Sequence, residues 1–228
     1  MPNGFARLVF PRGTVSRIFG SNRILKSQIL LLALAGAAPA ADNLAPDQAW
    51  KVLLEGNARF ANSAPAHPRQ GADQRRALAN TQHPFAAVLA CTDSRVPTEI
   101  IFDQGLGDLF VARTAGHVLD EAVLGSLEFA VERLGIRLVV VLGHQRCGAV
   151  AAALPGKPAA GHIASLVEAI RPAVEKAQGE GGDLLDHAVD ANVALVVSKL
   201  KAALSGRADI RIQGARYDLD SGAVRPLQ

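Results

Sequence analysis

The chain has 228 residues, room for one compact domain and little more. Its 24 basic and 21 acidic residues give a net charge of +3, but five of the bases (Arg7, Arg12, Arg17, Arg23 and Lys26) crowd the amino-terminal segment, which carries no acid. Without that segment the balance is 19 against 21, a charge of −2, which excludes a nucleic-acid-binding domain built on a basic face.

The basic segment leads into an apolar run from Ile29 to Ala38 and then into Ala38-Pro39-Ala40-Ala41. Positive charge, a short hydrophobic stretch and an Ala-x-Ala end are the marks of a secretory signal peptide. Residues 1–41 are therefore expected to be a cleaved leader, and 42–228 the working domain, periplasmic or secreted. A run of about ten residues is too short to span a bilayer, so no membrane segment is expected after cleavage. The alternative is an amphipathic tail lying on a membrane surface.

The mature chain opens on a helix from Pro46 to Phe60, with Trp50, Leu53, Leu54, Asn57 and Phe60 on one face. A loop follows from Asn62 to Gly71, then a weaker helix from Asp73 to Asn80. Phe85 to Ala90 reads as a buried strand delivering Cys91, and Asp108 to Arg113 as the next strand. Asp120 caps a helix that Gly135 stops. Arg137 to Leu142 is apolar at successive positions, the pattern of a strand covered on both faces. His144 to Ala153 turns into a helix, and two more helices fit Ile163 to Ala177 and Asp183 to Leu204, before a last strand from Asp209 to Tyr217. Strands alternating with helices define an α/β fold with a mainly parallel central sheet flanked by helices.

That order brings the chemistry to one edge. Cys91 and His144 follow the carboxyl ends of buried strands, where open α/β sheets bind their ligands, and Cys147 falls in the first turn of the next helix. Cys91 and Cys147 are the only cysteines. Two thiolates and an imidazole suit a tetrahedral zinc ion, cancel its charge and leave one position open. A Cys91–Cys147 disulfide is the rival arrangement, which export would favour. Asp93 and Arg95, two residues apart on an extended segment, can pair on one side. So paired, Asp93 stays off the metal; unpaired, it can take the fourth position in a resting state.

Cys91-Thr92-Asp93-Ser94-Arg95-Val96-Pro97, with Gly143-His144-Gln145-Arg146-Cys147-Gly148-Ala149-Val150, resembles the β-class carbonic anhydrases. Glu55-Gly56-Asn57-Ala58-Arg59-Phe60, the stretch from Gly107 to Gly116, and Gly214-Ala215-Arg216-Tyr217-Asp218 extend the likeness in the same order. The resemblance implies zinc on Cys91, His144 and Cys147, with Asp93 and Arg95 as a catalytic dyad. It implies reversible hydration of carbon dioxide to bicarbonate and a proton by zinc-bound hydroxide. It also implies a homodimer or homotetramer in which an amino-terminal helical arm meets the partner, with Trp50 and Phe60 at the contact; packing inside their own chain is the other reading. Two positions depart from the family. His117 stands where Asn is frequent, and Val88 stands where members with a regulatory bicarbonate site carry Trp, so regulation of that kind is not expected. Two further readings remain: a zinc hydrolase of carbon disulfide or carbonyl sulfide, and a zinc-binding or redox-sensing protein without turnover. The last needs no Asp93–Arg95 pair beside the metal.

Overall fold

The computed structural model describes residues 44–156 and 158–227; the expected leader lies outside the described residues. Five strands form one sheet in the order β2-β1-β3-β4-β5: β1 (Ala86–Cys91), β2 (Leu109–Thr114), β3 (Leu138–His144), β4 (Arg211–Tyr217) and β5 (Val224–Pro226). The first four run parallel, and β5 returns antiparallel along β4.

The unbroken apolar runs of β1 and β3 are explained by what covers them. Ala86, Val88 and Ala90, with Leu138, Val140 and Leu142, pack under helix α1 (Pro46–Ala61) and the short α3 (Thr98–Ile101). Ala87, Leu89, Val139 and Val141 face the other way, against α4 (Glu121–Leu134) and α7 (Leu184–Ala203). Alternate residues thus serve opposite cores, so neither face can be polar. A third cluster closes the carboxyl end of the sheet: α5 (Gly148–Ala152), α6 (Ile163–Ala177) and α7 meet there around Cys91 and Cys147.

The helix boundaries have local causes. Asp120 accepts a 2.8 Å hydrogen bond from the Val123 amide at the start of α4. Gly135 ends that helix at φ +69°, a conformation that costs any side chain with a Cβ. Asp183 caps α7 through the amides of Leu185 and Asp186. Gly56 in α1 has a different task, since a Cβ there would stand 1.8 Å from the Phe102 carbonyl oxygen, so α1 and α3 pack backbone to backbone.

Several boundaries differ from the expectation. The weaker helix is α2 (Ala72–Ala77) and stops before Asn80, having buried none of its residues. β3 continues through Gly143 and His144 because these pair with Arg216 and Tyr217 of β4. His144 is therefore a strand residue, and the helix expected from it shrinks to α5. Cys147 is the residue that caps α5, with extended backbone angles, rather than a member of its first turn. Helix α1 packs on its own sheet: Trp50 is 7% exposed, under the Arg211 guanidinium, and Phe60 packs near Tyr217. Among the described residues no helix is long and apolar enough to cross a membrane.

Candidate metal centre

β1 and β3 are neighbours at the centre of the sheet, and their last residues are Cys91 and His144. Cys147 reaches the same point from the turn that follows β3. The two sulfurs and a ring nitrogen of His144 lie within 4.8 Å of one another, and all three residues are buried. The Cys91 and Cys147 sulfurs are 4.0 Å apart and both cysteines are free. A disulfide would need about 2.05 Å. Two sulfurs on one tetrahedral zinc at about 2.3 Å each stand roughly 3.8 Å apart, close to what is observed.

The histidine completes the fit. His144 Nδ1–H donates to the Gln145 carbonyl at 2.8 Å, which leaves Nε2 as the lone-pair nitrogen. That Nε2 is buried and has no hydrogen-bond partner. A buried acceptor facing two sulfurs is costly unless something electrophilic fills the space between them. The donor set suits zinc, and a soft bivalent ion generally.

The thiols are electrostatically unequal. Cys91 is pushed strongly toward thiolate, first by the hydrogen bond from Cys147, then by those from the Gly116 and Asp93 amides, against the cost of burial. Those amides stand 3.3 and 3.4 Å from its sulfur. Cys147 is pushed the other way, by its bond to Cys91 and by burial.

Asp93 and Arg95 pair beside this cluster. Arg95 Nε donates to Oδ1 at 2.9 Å and Nη2 to Oδ2 at 2.7 Å, a two-pronged grip, while the Arg95 amide donates to Oδ1 at 2.9 Å. The segment is a turn, not the extended run expected, closed by the Val96 amide on the Asp93 carbonyl at 3.0 Å. Asp93 Oδ2 lies 3.9 Å from His144 Nε2, so the carboxylate borders the three donors without joining them. The Arg95 guanidinium, first, holds the Asp93 carboxyl well below the usual carboxylate range.

Two residues near the cluster could not be placed there from the sequence. Arg113 of β2 donates to the Cys91 carbonyl at 2.9 Å and to the Asp93 carbonyl at 2.7 Å, fixing the turn that carries the dyad. His117, which stands where the family frequently has Asn, is wholly buried, and burial pushes it down to about 4, so its ring is neutral near pH 7. The signal available was its place directly after Ala115-Gly116, at the end of the stretch that resembles the family.

Comparison with known proteins agrees with this geometry. A family model described as carbonic anhydrase matches residues 86–224. Carbonic anhydrase 2 of Mycobacterium tuberculosis is 47% identical over 190 residues, covering 79% of this chain and 92% of that one. The carbonic anhydrase of Mycolicibacterium smegmatis is 44% identical over 192 residues, covering 80% and 93%. The solved Coccomyxa β-carbonic anhydrase in complex with acetazolamide superposes with a TM-score of 0.64 at 28% identity, over 77% of this chain and 84% of that one. The chain belongs to the β-class carbonic anhydrases and is an enzyme of that family.

Proposed function

We propose that this carbonic anhydrase interconverts carbon dioxide and bicarbonate at zinc held by Cys91 Sγ, His144 Nε2 and Cys147 Sγ, with Asp93 and Arg95 positioning the reacting water. The observation that carries the reading is the unpartnered, buried Nε2 of His144, facing two sulfurs with a clamped carboxylate 3.9 Å away. Zinc bound there would supply Lewis acidity, making water ionise at a pH far below its bulk value.

The protein's own residues account for the rest. Asp93 is held so acidic by Arg95 that it cannot serve as the proton sink near neutral pH. Its role is that of a fixed acceptor: Oδ2 takes a hydrogen bond from the reacting water and turns a lone pair toward the carbon of carbon dioxide. Arg95 keeps both carboxylate oxygens in place, and Arg113 keeps the backbone beneath them in place. Burial of the donors removes competing solvent from the sulfurs.

Export and assembly belong to the same proposal. The basic, apolar and small-residue succession of residues 1–41 supports export to the periplasm or beyond. A homodimer or homotetramer is supported by the only partly buried edge strand β2 and by exposed Ile100 and Leu106. Two β-carbonic anhydrases of Sordaria macrospora that share the fold are described as tetrameric.

The test is a stopped-flow measurement of carbon dioxide hydration on purified mature protein with its metal content determined. Turnover rising in proportion to bound zinc is expected. Protein with one zinc per chain that hydrates no faster than buffer would remove the proposal.

A further inference from the structure

One buried network behind the metal centre has no part in the chemistry above. The 3₁₀ turn Ala115–His117 carries two successive residues in the left-handed region, Gly116 at φ +66° and His117 at φ +46°. Glycine adopts that conformation freely; histidine seldom does, and needs its surroundings to hold it. Gly116 has a steric reason as well, since a Cβ would meet Ile170 Cδ1 at 2.7 Å and Ala149 Cβ at 3.1 Å. The consequence of this turn is that the Gly116 N–H points at Cys91 Sγ, 3.3 Å away.

Asn192 holds the turn from behind. It lies on α7 and is 1% exposed, and its Nδ2 donates to the Gly116 carbonyl at 2.9 Å and to His117 Nε2 at 3.0 Å. One amide nitrogen has two hydrogens, and here each has its own acceptor; the neutral ring of His117 can accept at Nε2. Helix α7 comes close enough for this because Gly143 of β3 has no side chain: a Cβ there would stand 2.5 Å from Val193 Cγ2.

We propose that Asn192 is a positioning residue of the metal centre, fixing the Gly116 turn so that its amide donates to the Cys91 sulfur. The function follows from charge. Two thiolate ligands give a metal much electron density and so blunt its Lewis acidity. A hydrogen bond donated to the sulfur draws part of that density back. The same bond fixes the direction of the sulfur lone pairs before the metal arrives. Outer partners of metal ligands commonly act in this way. The inference rests on the assignment of Cys91, His144 and Cys147 as the metal ligands.

The decisive variant is Asn192→Asp, which keeps the shape of the side chain and removes both donors. In chelator competition its zinc affinity is expected to fall about 10- to 100-fold. In the cobalt(II)-substituted protein the thiolate-to-metal absorption band is expected to move to lower energy, because a sulfur without its donor gives up an electron more readily. Val196→Ala, also on buried α7 but outside the network, should lower stability and leave that band where it is in the parent protein. A folded Asn192→Asp protein with unchanged zinc affinity and an unchanged band would overturn the proposal. If Asn192→Asp does not fold, the cadmium-113 form of the unaltered protein decides: scalar coupling between the metal and the Gly116 amide proton supports the proposal, and its absence overturns it. An unaltered protein that takes up no cobalt would instead remove the metal assignment, and this inference with it.

Discussion

Cys147→Ser is expected to fold, to lose its zinc and to lose all measurable hydration activity. Folding should survive because Cys147 occupies the capping position of α5 and makes no side-chain cap bond there, whereas a serine hydroxyl is among the best caps. The volume lost is small, in a cluster of alanines and valines. Zinc should go because the substitution leaves one sulfur and one imidazole, and a neutral hydroxyl is a poor zinc ligand. After dialysis against a chelator, metal analysis should find less than roughly a tenth of an equivalent, since three-point binding is what makes such sites tight. A variant that keeps full zinc would mean that the ion is held elsewhere.

Asp93→Asn separates chemistry from metal binding. The carboxylate is outside the three-donor cluster, so zinc content should stay at one per chain. Activity should fall by about 10²- to 10⁴-fold, the range for losing one positioned acceptor or proton-transfer partner. An amide keeps one acceptor oxygen but turns an N–H toward Arg95, which breaks the two-pronged grip. Retained activity would remove the dyad from the mechanism. The pH dependence carries a sign that can be checked. The folded-state pKa of Asp93 is lowered from 3.8, so its pairing stabilises the fold fully above that value, and the stabilisation is lost as pH falls through the lower folded value. The difference in urea midpoint between parent and Asp93→Asn should therefore be constant from pH 8 to about 5 and shrink only in stronger acid. A difference that vanished near pH 6 would contradict the Arg95 clamp. Because Arg95 keeps the carboxylate ionised and turned aside, the resting arrangement with Asp93 as a fourth ligand is not the one this conformation presents.

Much of the architecture was legible because the strands are covered on both faces. Leu138 to Leu142 could be placed from apolarity alone, and the Asp120 and Gly135 signals bounded α4 correctly. Cys91, His144 and Cys147 could be expected to meet because there are only two cysteines and the three residues fall at or just past the ends of such strands; the structure brings their ligand atoms within 4.8 Å of one another. What escaped depends on distant partners. The three-residue strand β5 has no pattern of its own; it forms because Asn57, in α1, accepts from the Val224 amide at 2.7 Å and donates to the Gly222 carbonyl at 2.8 Å. The four-residue α3 is set by its backbone contact with Gly56. The turn around Asp93 looked extended because residue spacing cannot show the Asp93–Val96 backbone bond. That Arg113 and Asn192 come close to the cluster was illegible for the same reason. Arg113 reads as one charge at the end of a strand and Asn192 as one polar residue in an apolar helix until the fold brings Arg113 to the Cys91 and Asp93 carbonyls and Asn192 to the Gly116 carbonyl.

X-ray absorption at the zinc edge, on the purified mature enzyme, reads the first shell of the ion directly. Two sulfurs at about 2.3 Å, one imidazole nitrogen and one light-atom position at about 2.0–2.1 Å are what this structure leads us to expect. A shell without sulfur, or a protein whose two cysteines are joined and whose zinc is absent, would contradict it.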